Sequence, residues 1–144
     1  MTQEEKQLLL KDLCARLPYG VKISYVKNTP IGLRRRIGTL QFIDTRINHI
    51  EMLLSVDGGF EYANGLGISK PYLRPMSSMT EEEKYIYRHM LGAQLNSEGE
   101  SIMFVYIEDF PVVIDWLNAH HFDYRDLIDK GLALEAPTDI YKTD

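Results

Sequence analysis

The chain has 144 residues, 44% of them hydrophobic and 26% charged, with a net charge of −5 and a single cysteine, Cys14. These values describe a globular chain large enough to fold without a disulfide or a metal, and one cysteine excludes an internal disulfide framework or a cysteine-built zinc site. The acidic balance argues against a dedicated DNA-binding protein, no apolar run approaches the roughly 20 residues of a membrane span, and "MTQEEKQLLL" is not a basic signal-peptide start, so an intracellular, cytoplasmic protein without membrane contact is expected.

The first element reads as a helix. Thr2 and Glu5 form an S/T-x-x-E capping box, and Leu9, Leu13 and Leu17 recur every four residues with Leu10 and Cys14 alongside, so Cys14 is expected to pack in the core. "PYG" (Pro18 to Gly20) ends it. "VKISYVK" alternates as a half-buried strand, "NTPIGLRRR" reads as a loop, and "IGTLQFID" and "HIEMLLSV" as two further strands. "DGG" (Asp57 to Gly59) is a hairpin signal before "FEYA", and "GISKPYL" adds a fifth strand. Short strands this closely spaced predict a small bent antiparallel sheet or an SH3-like barrel.

Thr80 and Glu83 form a second capping box, which predicts a helix from Glu81 to Leu95 with Ile86, Met90 and Leu91 facing inward. "IMFVYI" reads as a buried strand. Asp109 is a cap for a helix carrying Val112, Val113, Trp116 and Leu117 to about His120, and Asp123 the cap of a last short helix, "YRDLIDK", stopped at Gly131. The fold class is therefore α+β: an N-terminal helix and small β unit over 1–75, then a mainly helical part over 76–144 packed on it as one unit, with Pro71 to Thr80 between them.

Charge is unevenly spread. Pro18 to Asn48 holds Lys22, Lys27, Arg34, Arg35, Arg36 and Arg46 against Asp44, a net of +5, while Glu108 to Asp144 holds nine acids against three bases, a net of −6. Three consecutive arginines between two strands, with Lys27 and Arg46 near them, are the residue types that clamp phosphates, and Tyr25, Phe42, Phe60 and Tyr62 can offer stacking surfaces. The densest polar stretch, "WLNAHHFDYRDLIDKGLALEA" (Trp116 to Ala136), leaves His120, His121, Tyr124 and Arg125 once caps and core are assigned. Adjacent histidines on a helix diverge by about 100° and do not share a metal, and no nucleophile motif, P-loop or dinucleotide fingerprint is present. Trp116, His121, Tyr124 and Arg125 are read as a surface for a protein partner. No catalytic residue, metal or cofactor is expected.

Two resemblances add to this reading. "GTLQFIDTRIN" resembles the first motif of Sm-like RNA-binding barrels, with Gly38, Leu40, Asp44 and Asn48 at matching spacing. In that family the Asp and Asn positions help form the nucleotide site, and no second Sm motif accompanies it here. More broadly, "LLLKDLCARLPYGV", "KPYLRPMSSMTEEEK" and "DWLNAHHFDYRDLIDKGLALEAP" resemble small uncharacterised proteins encoded by phages and prophages of gut bacteria. That resemblance implies an intracellular accessory protein of mobile DNA whose β centre, Lys22 to about Ser69, varies most. It brings no activity, cofactor or catalytic residue. The expected function is a non-catalytic binding or adaptor module for a macromolecular partner, most simply a protein. RNA or single-stranded DNA binding through the basic β region is the alternative, and an enzyme ranks third.

Overall fold

The computed structural model describes residues 1–45, 51–64, 66, 68–91, 94–95, 101–102 and 110–141. Helix α1 (Gln3–Arg16) opens with the expected capping box: Glu5 N donates to Thr2 Oγ1 at 3.1 Å, and Thr2 N to Glu5 Oε2 at 2.8 Å. A 3₁₀ turn, Leu17–Tyr19, and Gly20 in the left-handed region (φ +67°) stop it. Leu9 and Leu13 are fully buried against the sheet, so truncating either to alanine should cost about 2–5 kcal/mol. Asp12 and Arg16 are also fully buried, on a second side of the helix. Cys14 is exposed. It is not a core residue, because α1 is covered on its charged side as well as its leucine side, and Cys14 falls on neither.

Five strands follow: β1 (Lys22–Thr29), β2 (Gly32–Asp44), β3 (Glu51–Val56), β4 (Gly59–Asn64) and β5 (Lys70–Pro75). β1 and β2 join through Pro30–Ile31, with Thr29 opposite Gly32. A bulge between Leu40 and Phe42 bends β2 where β3 pairs with it. Cross-strand partners share a face, so one face carries Ile23, Tyr25, Leu40, Met52, Leu54 and Ala63, all buried. Gly38 sits on that face because a Cβ there would lie 2.9 Å from Leu54 Cβ.

The strand order is β4-β3-β2-β1-β5, and the sheet is open and mixed. Of the two expected forms it is the bent sheet, not the closed barrel. The parallel pairs come from the C-terminal segment, where the short strands β8 (Phe122–Asp123) and β9 (Leu134–Glu135) both add to β5. Leu127, Leu132 and Ala133 then join the sheet core.

Helix α2 (Glu81–Met90) has the second capping box, at 3.1 and 3.0 Å, and ends short of Leu95. Gln94–Leu95 instead forms β6, paired with β7 (Ser101–Ile102). Ile86 is exposed, and Tyr87 takes the expected inward place beside Met90 and Leu91. A second core gathers Met79, Leu91, Val113, Leu117 and Phe122, the last three from helix α3 (Phe110–Ala119) and β8. Most of "IMFVYI" and the Asp109 cap lie outside the described residues.

The short helix expected at "YRDLIDK" is a series of turns. Asp123 does cap backbone, but as a clamp: its carboxylate accepts from Leu127 N and Ile128 N, both at 2.9 Å. Asp126 (φ +57°) and Gly131 (φ +73°) turn the chain into left-handed steps that a helix excludes.

Candidate binding surfaces on the sheet

Arg34, Arg35 and Arg36 are not in a loop. β1 and β2 are long enough to pair through the whole stretch, with Lys27 opposite Arg34, Val26 opposite Arg35 and Tyr25 opposite Arg36. Strand alternation therefore splits the three arginines. Arg34 and Arg36 share the inner face with Lys27, beyond the part that α1 covers. Arg35 points to the outer face, where its Nη1 donates to Ser24 Oγ at 2.7 Å. Arg46 lies outside the described residues, as does Asn48.

The inner cluster is organised by Glu61 on β4. Tyr25 Oη donates to Glu61 Oε2 at 2.5 Å, Lys27 Nζ bonds Glu61 Oε1, and Arg36 Nη1 stands 3.8 Å from the same oxygen. These contacts span four strands, which measures how strongly the sheet bends. The hydrogen bond from Lys27 and then that from Tyr25 hold the Glu61 carboxyl below its ordinary range. Burial, followed by the bond to Glu61, pushes the Tyr25 phenol up to about 12. Tyr25 is thus a buried strut and not a stacking surface. Glu61 had no signal in the sequence, since only the bend brings it to β1.

The outer face of β2, β3 and β4 carries an exposed apolar patch. Phe42, Leu53 and Tyr62 form one cross-strand row, and Thr39, Ser55 and Phe60 the next. Phe42 is 54% exposed, and Phe60 and Tyr62 are each 67% exposed. Ile37 and Leu33 extend the apolar surface along β2. Asp44 and Glu51 pair at its far end. Of the aromatic side chains expected to stack, Phe42, Phe60 and Tyr62 therefore share a face with Arg35 and are separated by the sheet from Arg34 and Arg36, whereas Tyr25 lies on the inner face, buried.

The second group expected at the surface is engaged inside the fold. Trp116 packs on His120 (centroids 4.4 Å apart), Phe122 and Tyr87. Tyr124 Oη donates to Asn118 at 2.9 Å. Arg125 Nη1 reaches Asp12 Oδ1 at 3.0 Å, and Arg16 Nε reaches Asp12 Oδ2 at 2.8 Å. Arg16 Nη2 donates to Phe122 O at 2.6 Å, so α1 is tied to β8. The guanidinium groups of Arg16 and Arg125 both lie over the Tyr124 ring. His121, in a left-handed conformation (φ +62°), stacks on Tyr141 with centroids 3.7 Å apart. Burial, then the nearby Arg16 charge, pulls the imidazole down to about 4, so it is neutral at physiological pH. Tyr141 Oη donates to Tyr72 O and accepts from Lys22 N, which pins the C-terminal segment to β1 and β5.

His120 Nδ1 is turned to Trp116 O at 2.9 Å, so the two histidines serve different packing contacts. Among the described residues no three His, Cys, Asp or Glu side chains gather to hold a metal, and no helix is long and apolar enough to cross a membrane. No family model, curated protein or solved structure matches the chain.

Proposed function

We propose that the protein is a non-catalytic binding or adaptor module whose partner is a protein, engaged through the outer face of β2, β3 and β4. The observation that carries this reading is the patch of exposed aromatic side chains, Phe42, Phe60 and Tyr62, on one face of paired strands. Exposed apolar side chains gathered on one rigid face, not scattered singly, are characteristic of interaction surfaces. The setting is the one that the sequence resemblance implies, an accessory protein of a phage or prophage acting in the cytoplasm on a host or phage macromolecule.

RNA or single-stranded DNA binding is the second reading. Lys27 and Arg36 gather at one carboxylate, Glu61, and Arg34 lies opposite Lys27 on the same face, a net of +2 for these four residues. The separation of these cations from the aromatic row ranks it second, because single-strand binders place stacking rings along the same basic groove.

Affinity capture with wild type, with Phe42→Ser/Tyr62→Ser and with Arg34→Ser/Arg36→Ser tests the order. A protein retained by wild type and by the arginine variant, and lost with the aromatic variant, is the expected result. In parallel, anisotropy with mixed-sequence RNA and DNA oligonucleotides across a salt titration checks the second reading. Tight binding that weakens by several phosphates' worth of salt dependence, and vanishes in the arginine variant, would reverse the ranking.

A further inference from the structure

Two strand edges of the sheet line a single cavity, and no backbone ladder joins them among the described residues. Among the described residues β1 pairs β5 at Ile23 and Ser24 alone, so its second half, from Val26 on, has β2 on one side and no described strand on the other. β4 pairs with β3 and is the end of the strand order.

The ladders fix where the free backbone groups point. Leu40 N donates to Val21 O at 2.9 Å. Alternation along an antiparallel pair then turns the N–H and C=O of Tyr25 and Lys27 toward β2, and those of Val26 and Asn28 away from it. Carried across Thr39–Ser55 and Leu54–Glu61, the same alternation aims Glu61 at β3, and Phe60 and Tyr62 away from it. These four outward-aimed residues all line one cavity of about 340 Å³ between β1 and β4. The Tyr25–Glu61 bond and the Lys27–Glu61 ion pair bridge it side chain to side chain.

We propose that this seam accepts an extended segment of a partner protein as an added β-strand, with an acidic side chain directed to the inner face of the sheet. This rests on the protein-binding reading above and adds a location and a partner chemistry. Added strands bind through exposed main-chain groups and select by the side chains at alternate positions. On the inner side the incoming strand meets Lys27 and Arg36, which share the Glu61 carboxylate, and Arg34 opposite Lys27, so a second carboxylate lowers the excess positive charge of these four residues from +2 to +1. On the outer side its neighbours are Phe60 and Tyr62, which favour apolar residues. The preferred segment alternates apolar and acidic residues.

The test is an NMR titration of the isotope-labelled full chain with a short, end-capped peptide of alternating valine and glutamate, against its valine–lysine counterpart. Saturable amide shifts at Val26, Asn28, Phe60 and Tyr62 are expected, with the lysine peptide about tenfold weaker or worse. Asn28→Pro removes an N–H that the β1–β2 ladder does not use. It should weaken the glutamate peptide about tenfold while leaving the melting temperature near wild type. Arg34→Ser/Arg36→Ser should bring the two peptides closer in affinity. Shifts confined to Phe42 and Leu53, with Val26 and Asn28 unmoved, would overturn the seam and leave the adaptor reading standing. An absence of shifts at any peptide concentration would also overturn the seam, while affinity capture judges the adaptor reading separately. A concentration-dependent dimer abolished by Asn28→Pro would assign the seam to a second copy of this chain and overturn the partner strand.

Discussion

The protein contains two arginine clusters that look alike as composition and differ as physics. Arg16 and Arg125 converge on Asp12, with Arg16 and Asp12 fully buried and the Arg125 side chain 17% exposed. Lys27 and Arg36 converge on Glu61 at the rim of the sheet, with side-chain exposures of 41% and 48% for the two cations. In the first cluster each arginine also has an aromatic face or a backbone carbonyl, so the charges serve to tie α1 to the C-terminal segment. In the second the cations keep much of their water and have one carboxylate between them. A buried charge pair is costly to break, whereas an exposed one contributes little to stability and remains available to a partner.

The largest effect should come from breaking the buried cluster. Asp12→Ala leaves Arg16 without its carboxylate in a dry site, and should cost about 3–5 kcal/mol in chemical denaturation. A loss under 1 kcal/mol would show that Arg16 rehydrates and that the two clusters are equivalent.

Next comes pH. His121, which packs beside the buried cluster, has its folded pKa depressed from 6.5 to about 4. The unfolded state therefore binds the extra proton first as pH falls. Stability from this group is fully present above about 6.5 and should fall by roughly 2–3 kcal/mol on the way to 4. Glu83, paired with Arg74 at 2.6 Å, is held at about 2, so its contribution is lost in a lower window, from about 4.5 downward. His121→Asn, which tolerates the left-handed backbone, should abolish the upper part of the slope and keep the lower.

Smaller effects belong to the sheet. Glu61→Gln should cost about 1 kcal/mol, because it weakens an ion pair with half-exposed cations but keeps an acceptor for Tyr25. Arg34→Ser/Arg36→Ser should change stability by no more than about 0.5 kcal/mol. A loss of several kcal/mol in that variant would make the basic strand structural and erase the contrast.

Much of the fold was legible in local chemistry. Both capping boxes, the leucine stripe of α1 and the turns at Pro30 and Asp57–Gly58 depend on residues a few positions apart, and each lies where the spacing puts it. What misled was context at long range. "LRRR" carries turn residues before it and too much charge for a core strand, yet a 13-residue β2 extends past the sheet core and keeps those side chains in water. Cys14 follows the leucine period, but α1 buries Asp12 and Arg16 instead, a choice made by Arg125 and Phe122, which lie more than a hundred residues away. The Asp12/Arg16 spacing of four was the available signal, and helix surfaces show that pair too often for it to mark burial. The site was half legible. Phe42, Phe60 and Tyr62 were singled out, but their separation from Arg34 and Arg36 follows from register and a bulge.

In-cell photo-crosslinking asks whether the outer aromatic face is the working surface. A photoreactive phenylalanine would replace Phe42 or Tyr62 in separate variants, with the exposed Lys130 position as control. A discrete protein adduct is expected from positions 42 and 62 and none from 130. Adducts of equal yield from all three positions, or an adduct from 130 alone, would contradict that role.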